Sequence, residues 1–300
     1  MRLVVLGSPT SWYLADLRRA AGRRHEVLSA TFRDLESSLG AAGVGVRSAG
    51  TNLHDADAVL VRSMAPGSLE QVVFRMDALA ELQARGVRVV NPPRAIEAAV
   101  DKYLASARLR AAGLPTPRTA ACQTTDAAMA AFDALGGRVV IKPLFGGEGR
   151  GVALLEDAAM ARRAFALVEQ LGGVIYLQEF IEHDGGDLRL LVMGRFESND
   201  AFADARVLGM RRENPLDWRT NISLGGKAAP LEVTGELAGL ACRAARAVGA
   251  PLAGVDLLPG RDGRLYAIEV NAVPGWRALG RVTGRDVAAL VLDHIAAGLP

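Results

Sequence analysis

Three side chains near the end of the chain carry oxygen atoms at a spacing that could hold a divalent cation. Two apolar runs flank the dipeptide Asp262-Gly263, and this pattern predicts a β-hairpin because the turn requires positive φ angles. A turn centred on the dipeptide places Asp256 opposite Glu269, because both residues are equally far from the centre. Such partners lie on one face, with Cβ atoms about 5 Å apart. Asn271 follows Glu269 by two residues and therefore shares that face.

The predicted pair of carboxylates needs a positive partner, because opposed acidic side chains repel each other. A cation bound by Asp256, Glu269 and Asn271 is one solution. Oxygen ligands without His or Cys suit Mg²⁺ or Mn²⁺ and argue against zinc. Arginine side chains are the other solution, since the chain has 35 Lys and Arg residues. The hairpin alone leaves both solutions open.

A glycine-rich segment, residues 146–151, has the composition of a loop that binds phosphate through backbone N–H groups. It lacks the Gly-Lys-Ser/Thr ending of a Walker A loop, and its glycines miss the spacing of the dinucleotide fingerprint. The segment directly follows an apolar strand that ends in Lys142. This lysine, and Lys102 after Asp101, could neutralise a nucleotide phosphate as point charges. A solvated surface lysine is the alternative at each position.

The elements predicted for residues 1–93 alternate between strand and helix. Three apolar runs predict strands, at residues 3–6, 58–61 and 87–90. Between the last two, Ser68 and Gln71 have the spacing of a capping box, and Gly86 ends the helix. This alternation predicts a parallel sheet covered by helices, as in α/β proteins. Arg62 follows the second strand, where such sheets bind ligands; it could contact an acidic substrate or form a surface salt bridge.

The remaining elements must carry the glycine-rich segment and the hairpin. Periodic apolar positions predict helices at residues 94–112, 127–135, 158–171, 236–248 and 286–296. Short apolar runs predict strands at residues 138–142, 174–181 and 187–193. Residues 206–226 are polar and rich in arginine, and we interpret them as a connection.

The composition excludes several classes of protein. The chain has 300 residues, half of them hydrophobic, which suits about two globular domains. A net charge of +2 is too balanced to indicate a nucleic-acid binder. No apolar run approaches the roughly 18 residues of a membrane helix, and the first residues are too briefly apolar for a signal peptide. The two cysteines form neither a disulfide framework nor a zinc knuckle. A cytoplasmic protein without a membrane partner is expected.

Several short segments, taken together in order, resemble the ATP-grasp superfamily and, within it, the RimK-like α-L-glutamate ligases. The matching segments are Asp101-Lys102, Ile141-Lys142-Pro143, Gln178-Glu179-Phe180-Ile181, Asp187-Leu188-Arg189, Arg211-Arg212, Trp218-Arg219-Thr220-Asn221, Gly254-Val255-Asp256 and Glu269-Val270-Asn271. The resemblance implies an ATP-grasp fold of mixed α/β and α+β type, with the nucleotide between two α+β subdomains. The implied parts are a Rossmann-like pre-domain (1–93), a central lid with the glycine-rich loop (94–177) and a C-terminal part with the metal site (178–300).

The same resemblance implies which residues bind ATP and a divalent metal ion. Lys102 and Lys142 would contact the phosphates, and Gly146, Gly147 and Gly149 would close over them. Further contacts would come from Gln178, Glu179 and Phe180 at the adenine, Asp187 at the ribose, Arg189 beside it, and Arg211 and Asn221 at the γ-phosphate. Asp256, Glu269 and Asn271 would hold Mg²⁺ or Mn²⁺, which agrees with the hairpin geometry.

The implied reaction activates a carboxylate with ATP. The substrate carboxylate attacks the γ-phosphate to give an acyl phosphate and ADP, and an amine then displaces the phosphate to form an amide. Catalysis would come from positioning and charge neutralisation. Arg211 and Asn221 would act at the reaction centre. Arg219 is expected to clamp the carboxylate or acyl phosphate, because a guanidinium matches a planar oxyanion.

The resemblance implies small-molecule substrates, with L-glutamate as the amine and an acceptor such as tetrahydromethanopterin. Alternatives are a protein tail, from a ribosomal protein or an amino-carrier protein, and a silent ATP-binding sensor. A nicotinamide-dependent dehydrogenase is disfavoured because the glycine fingerprint is missing after the first strand. We expect a homo-oligomer that binds no nucleic acid. Trp276 and Arg277 could line the acceptor pocket, or the Trp276 ring could simply pack in the core.

Overall fold

The computed structural model describes residues 1–41, 43–147, 149–195, 205–215, 217–220 and 225–299. In these ranges the strands form four sheets, of which three surround the candidate site. Within the same ranges, no helix is long and apolar enough to cross a membrane.

The N-terminal part contains a parallel sheet. Its elements in chain order are β1 (Arg2–Leu6), α1 (Trp12–Ala21), β2 (Glu26–Ala30), β3 (Leu35–Gly40), β4 (Gly43–Ser48), β5 (Thr51–Asn52), a 3₁₀ turn (Leu53–Asp55), β6 (Ala58–Val61), α2 (Leu69–Ala84) and β7 (Arg88–Val90). The sheet order is β2-β1-β6-β7, and all neighbours are parallel. The alternation of strand and helix therefore predicted the parallel sheet correctly. The small antiparallel sheet of β3, β4 and β5 was not predicted, because its strands are polar and rich in glycine.

Helix α2 begins with the predicted capping box. The Ser68 hydroxyl accepts a hydrogen bond from the Gln71 backbone N–H at 3.3 Å, and the Gln71 side chain accepts one from the Ser68 N–H at 3.1 Å. Two N–H groups that would lack partners at a helix start are thereby satisfied. This start sets the path of the chain that follows β6 and Arg62.

The single helix predicted for residues 94–112 is in fact two, α3 (Pro93–Val100) and α4 (Lys102–Ala111). The break lies at Asp101, whose carboxylate accepts a hydrogen bond from the Leu104 N–H at 3.0 Å and caps α4. An apolar period cannot reveal such a break, but the aspartate is an N-cap residue type. As a consequence, Lys102 is the first residue of α4 and its backbone N–H contacts the carbonyl of Leu144.

The middle of the chain forms an antiparallel sheet covered by two helices. Its elements are β8 (Thr119–Cys122), α5 (Thr125–Ala134), β9 (Val139–Lys142), β10 (Ala153–Leu155), α6 (Ala158–Gln170) and β11 (Ile175–Glu179), in the sheet order β10-β9-β11-β8. Phe132 of α5, Phe165 of α6 and Ile175 of β11 are buried in one core cluster. The glycine-rich segment connects β9 to β10, so it projects from the end of a hairpin.

The C-terminal part contains a five-stranded antiparallel sheet. Its elements are β12 (Gly186–Met193), β13 (Arg206–Glu213), β14 (Lys227–Leu231), α7 (Gly235–Val248), β15 (Leu252–Pro259), β16 (Leu265–Asn271), α8 (Arg277–Thr283) and α9 (Val287–Ala296), in the sheet order β14-β13-β12-β15-β16. The interpretation of residues 206–226 as a connection was wrong for β13. This strand is flanked on both sides, and the neighbouring strands override its polar composition.

The N-terminal and C-terminal sheets share a hydrophobic core cluster, whereas the middle sheet has a cluster of its own. Asn91 ties the first two together. Its buried side-chain amide donates to the carbonyl of Leu252 at 2.7 Å, and its amide oxygen accepts from the Leu252 N–H at 2.9 Å. The division of the chain at residues 93 and 177 stays a prediction.

Candidate active site

The hairpin of β15 and β16 brings two acidic side chains together. Asp256 lies opposite Glu269, and Gly254 lies opposite Asn271. The predicted pairing is confirmed, and alternation along β16 places Asn271 on the same face as Glu269. The metal-binding role of the three residues stays a prediction. In the described part of the chain, no cluster of three or more His, Cys, Asp or Glu side chains is arranged to hold a metal ion.

Asp256 is neutralised by two arginines. Arg189 Nη2 donates to Asp256 Oδ2 at 2.8 Å, and Arg212 Nη2 lies 3.1 Å from the same oxygen. Arg189 Nε also contacts the other carboxylate oxygen. Burial opposes the charge of Arg212, but Asp256 and Asp187 outweigh it, so its pKa is raised. The arginine solution considered for the hairpin therefore holds for Asp256.

Glu269 has different surroundings. Across the ranges that the structure covers, its carboxylate forms no hydrogen bond or ion pair, and it opposes the effect of burial on the pKa of Lys102 and Lys142. The Asn271 side-chain oxygen accepts a hydrogen bond from the Val273 N–H at 2.8 Å, which fixes its direction. An amide oxygen has a second lone pair. A free carboxylate and an oriented amide oxygen fit a hard cation such as Mg²⁺, with other ligands shared with the phosphates.

The two lysines reach the same space from different elements. Lys142, at the end of β9, donates from Nζ to the Gln178 side-chain oxygen at 2.6 Å. Lys102, at the start of α4, donates from Nζ to the Gly146 carbonyl at 2.6 Å. Burial lowers the pKa of Lys142 to about 8 and also lowers that of Lys102. Two half-buried cations close to one carboxylate, Glu269, that is unpaired among the described residues create a place for an anion.

These residues line a narrow cavity of about 140 Å³, which we call the first cavity. Five cationic side chains and three carboxylates face it: Lys102, Lys142, Arg150, Arg212 and Arg219 with Asp187, Asp256 and Glu269. The excess of positive charge suits a polyphosphate accompanied by one divalent cation.

Glycines form one wall of the first cavity. Gly146, Gly147 and Gly149 line it, while Glu148 lies outside the described residues. Gly146 and Gly149 have positive φ angles of 113° and 71°, which residues with a side chain rarely adopt. Gly151 has a φ angle of 70°, and a Cβ atom there would lie 2.8 Å from Pro143. The segment therefore depends on glycine for its conformation.

A second and larger cavity, of about 950 Å³, adjoins the first. The two cavities share Gly147, Arg212 and Glu269 in their walls. Three aromatic and seven arginine side chains line the second cavity: Trp12, Tyr13 and Trp276 with Arg19, Arg62, Arg189, Arg212, Arg277, Arg281 and Arg285. A cationic cavity of this size suits an acidic organic substrate larger than an amino acid.

Comparison with known proteins identifies the family. The sequence profile of the RimK-like ATP-grasp domain matches residues 99–295. The chain belongs to the RimK-like ATP-grasp family. It is 33% identical over 272 residues to tetrahydromethanopterin:α-L-glutamate ligase of Methanosarcina acetivorans, covering 81% of each chain. It is 31% identical over 301 residues to probable α-L-glutamate ligase 1 of Hahella chejuensis, covering 98% of this chain and 94% of that protein.

A solved structure shares the ATP-grasp fold. The ATP-grasp ligase PsnB, in complex with minimal precursor, Mg and ADP, superimposes with a TM-score of 0.74 at 23% identity. The similarity covers 99% of this chain and 97% of PsnB. The predicted fold class is therefore correct, although the Rossmann-like character of the N-terminal part stays a prediction. The chain is an ATP-dependent ligase of the ATP-grasp family.

Arg211, which the resemblance assigned to the γ-phosphate, does not line the first cavity, and its role stays a prediction. Arg211 is partly exposed and pairs with Glu213 on the opposite face of β13, outside the first cavity. Arg212 is only 4% exposed and lines both cavities. Successive side chains of a strand point to opposite faces, so only one of the two can face the nucleotide site. The register of β12 and β13, which pairs Asp187 with Arg212, decides which one.

Asp187 and Arg189, on one face of β12, pair with different residues of this site. Arg212 Nε and Nη2 donate to the two oxygens of Asp187 at 2.7 and 2.6 Å, and Thr220 also donates to Asp187. Asp187 lines the first cavity, but its oxygens are already engaged, and the ribose contact stays a prediction. Arg189 lines the second cavity and not the first, and it pairs with Asp256.

The segment expected at the adenine is only partly available for binding. Gln178 lines the first cavity and positions Lys142, while its side-chain NH₂ donates to Thr119. The backbone N–H of Glu179 donates to the Arg118 carbonyl, and that of Phe180 donates to the Arg138 carbonyl. These two donors are therefore not free to contact adenine. The Glu179 carboxylate forms an ion pair with Arg118 instead of facing the cavity.

Arg219 lines the first cavity, and its expected role at the carboxylate or acyl phosphate stays a prediction. Its guanidinium pairs with Asp217 at 2.6 Å, and Nη1 donates to the Val152 carbonyl at 3.3 Å. Arg219, which follows β13 in the chain, therefore contacts Val152, the residue that precedes β10. Asn221 lies outside the described residues. Tyr176 and His183 also line the first cavity. The sequence did not single them out, and only their position beside the matched segments pointed to them.

Proposed function

We propose that the chain is a Mg²⁺- or Mn²⁺-dependent, ADP-forming ligase that joins L-glutamate to the carboxylate of an acidic acceptor. The observation that carries the proposal is the meeting of two cationic cavities at Glu269 and Arg212. One cavity suits the phosphates of a nucleotide, and the other suits an acidic organic molecule. The reacting carboxylate and the γ-phosphate would meet where the two cavities join.

In this proposal the side chains work mainly by holding charge in place. Lys102 and Lys142 would neutralise phosphate oxygens. Glu269 with Asn271 would hold the divalent cation, whose charge would help to neutralise the phosphates. Arg212, fixed by Asp187 and Asp256, presents its guanidinium to the junction, where negative charge develops during phosphoryl transfer. Donors that are already in position stabilise such charge without reorganisation. Arg219 remains our candidate to hold the acyl phosphate.

We propose a small-molecule acceptor of the tetrahydromethanopterin type. Supporting observations are the name of the Methanosarcina relative and the aromatic side chains beside the arginines of the second cavity. The Trp12 ring, which is 40% exposed, would stack on a heterocycle while the arginines bind carboxylates. A peptide acceptor is the second candidate, because PsnB was solved with a precursor.

The decisive experiment measures products with each class of acceptor. The protein is incubated with ATP, Mg²⁺, L-glutamate and either tetrahydromethanopterin or a peptide with an acidic C-terminus. We expect ADP to form only with a complete mixture, and mass spectrometry to show one added glutamyl residue on the pterin. Release of AMP would contradict the mechanism. Glutamylation of the peptide alone would replace the pterin with a peptide acceptor, and ATP bound unchanged with every acceptor would indicate a sensor.

A further inference from the structure

Arg62 is a buried cation that has no counter-ion among the residues that the structure describes. It follows the C-terminal end of β6, is 7% exposed and lines the second cavity. Its Nε and Nη1 atoms are buried and have no hydrogen-bond partner in the described part of the chain. Burial lowers its pKa to about 10, so the side chain is still charged at neutral pH. The surface salt bridge considered for this residue is therefore not formed.

Two aromatic rings hold the guanidinium in place. The Arg62 Cζ atom lies 4.5 Å from the centre of the Tyr13 ring and 4.3 Å from that of the Trp276 ring. These rings meet edge to face, with centres 4.9 Å apart and planes at 72°. The face of an aromatic ring attracts a cation electrostatically, but it does not provide a conventional hydrogen-bond acceptor for the N–H groups. The rings therefore position Arg62 and leave its hydrogen-bonding groups free.

The other carboxylates of the second cavity are committed elsewhere. Asp16 accepts a hydrogen bond from Trp276 Nε1 at 3.0 Å and pairs with Arg19 at 2.8 Å. Asp286 pairs with the same Arg19 at 2.8 Å. Glu269 interacts electrostatically with Lys102 and Lys142 of the first cavity. None of them neutralises Arg62.

A charge that is buried and unpaired destabilises a folded protein by several kcal/mol. The guanidinium of Arg62 thus favours any ligand that brings a negative group to it. A carboxylate matches it best, because both groups are planar and can form two parallel hydrogen bonds. The same cavity reaches Glu269, where the reacting carboxylate would lie.

We infer that Arg62 binds a second carboxylate of a substrate, one that does not react, while Tyr13 and Trp276 hold the guanidinium in position. This inference rests on the proposed ligase function and refines its substrate class. The substrate that occupies the second cavity has a free carboxylate beyond the group that reacts. It is either the incoming glutamate or a polyacidic acceptor, and the chemistry of the contact is the same in both cases.

Binding measurements test the inference without turnover. Calorimetry with the full chain, Mg²⁺ and a non-hydrolysable ATP analogue measures the affinity of two probes, L-glutamate and γ-L-glutamyl-L-glutamate. We expect Arg62→Met to weaken at least one probe about tenfold or more, since hydrogen bonds between charged groups are strong. Arg62→Lys should weaken it less, because the charge stays and the paired geometry is lost. Affinity for the nucleotide analogue should not change.

A matched control is available in Arg75. This arginine is also 7% exposed and lies 5.9 Å from the Phe32 ring centre, but it donates to the Ala65 carbonyl at 2.7 Å and lines neither cavity. Arg75→Met should leave the affinity for both probes unchanged. If Arg62→Met fails to fold, as judged by thermal unfolding, Arg62→Lys decides the matter.

The outcomes show whether the carboxylate belongs to glutamate or to the acceptor. They also distinguish a failure of the Arg62 inference from a failure of the proposed ligase function. Weakening of L-glutamate alone assigns Arg62 to the incoming amino acid, and weakening of the dipeptide alone assigns it to the acceptor. Unchanged affinity in the Arg62 variants, equal weakening by Arg75→Met, or no binding of either probe to the unaltered protein would overturn the inference. Failure of the ligase function would appear separately, as an absence of ADP in the turnover assay.

Discussion

Asp256 faces Glu269 only because β16 contains one extra residue between them and the turn. Nearer the turn, Leu257 pairs with Ala267, so the hairpin is centred on Asp262. Continued without interruption, that register would place Ile268 opposite Asp256 and turn Glu269 to the other face of the sheet. The register shift after Asp256 is a β-bulge that absorbs Ile268. The convergence of the two carboxylates thus depends on an irregular strand.

Removing the charge of Glu269 should affect the protein differently from removing the charge of Asp256. Glu269→Gln is expected to abolish ligase activity with little change in Tm, because Glu269 pairs with no arginine in the described structure. Asp256→Asn should also lower stability by about 3 kcal/mol, since it leaves Arg189 without its carboxylate partner and Arg212 with Asp187 alone. Thermal unfolding and ADP release, measured side by side, check this. Equal Tm losses in both variants would contradict the assignment.

The neighbouring arginines of β13 should differ in their effect on catalysis. Arg212→Met is expected to lower kcat by about 100-fold or more, the usual cost of removing a positioned donor at the reaction centre. Arg211→Met should change kcat by less than about twofold, because surface ion pairs such as that with Glu213 contribute little. Steady-state ADP release measures both. A large loss of kcat in the Arg211 variant would show that Arg211, and not Arg212, acts at the reaction centre.

The charge of Lys142 predicts a pH dependence of nucleotide binding. Burial lowers the pKa of Lys142 to about 8, although Glu269 and Asp256 oppose the shift and Lys102 adds to it. The ammonium group is charged below this pKa and neutral above it. Affinity for ADP, measured with a chelator present, should therefore fall as the pH rises through 8. Lys142→Arg keeps its charge, so its affinity should stay level over the same range, and a parallel fall would contradict the prediction.

The glycine-rich segment should be sensitive to side chains at some positions and tolerant at others. Gly151→Ala places a Cβ atom 2.8 Å from Pro143 at a φ angle of 70°, and the left-handed conformation alone costs about 1–2 kcal/mol. Because this strain opposes the conformation that binds ATP, we expect the KM for ATP to rise by roughly five- to thirtyfold. Gly147→Ala meets no atom within 4 Å and has no positive φ angle, so its KM should rise less. A larger rise in KM for Gly147→Ala than for Gly151→Ala would contradict the prediction.

Local sequence patterns determined several features without the tertiary structure. The Asp-Gly turn predicted the hairpin, and the spacing of Ser68 and Gln71 predicted the capping box. The expected partner of Asp256 was also correct, but the register next to the turn was not, because the bulge at Ile268 shifts it by one residue. Alternation of strand and helix predicted the N-terminal parallel sheet. The ordered short segments predicted the ATP-grasp family. Each of these signals acts over a few residues or a fixed period, so the chain carries it directly.

Only the tertiary structure decided which neighbours those residues meet. The face of β13 that carries Arg212 depends on its register with β12, and polar composition concealed that β13 is a strand at all. The two arginines on Asp256 come from strands distant in sequence. Arg62 became a buried cation between Tyr13 and Trp276 through packing of the first and last parts of the chain. Burial and charge balance are sums over neighbours in space, and no local pattern contains them.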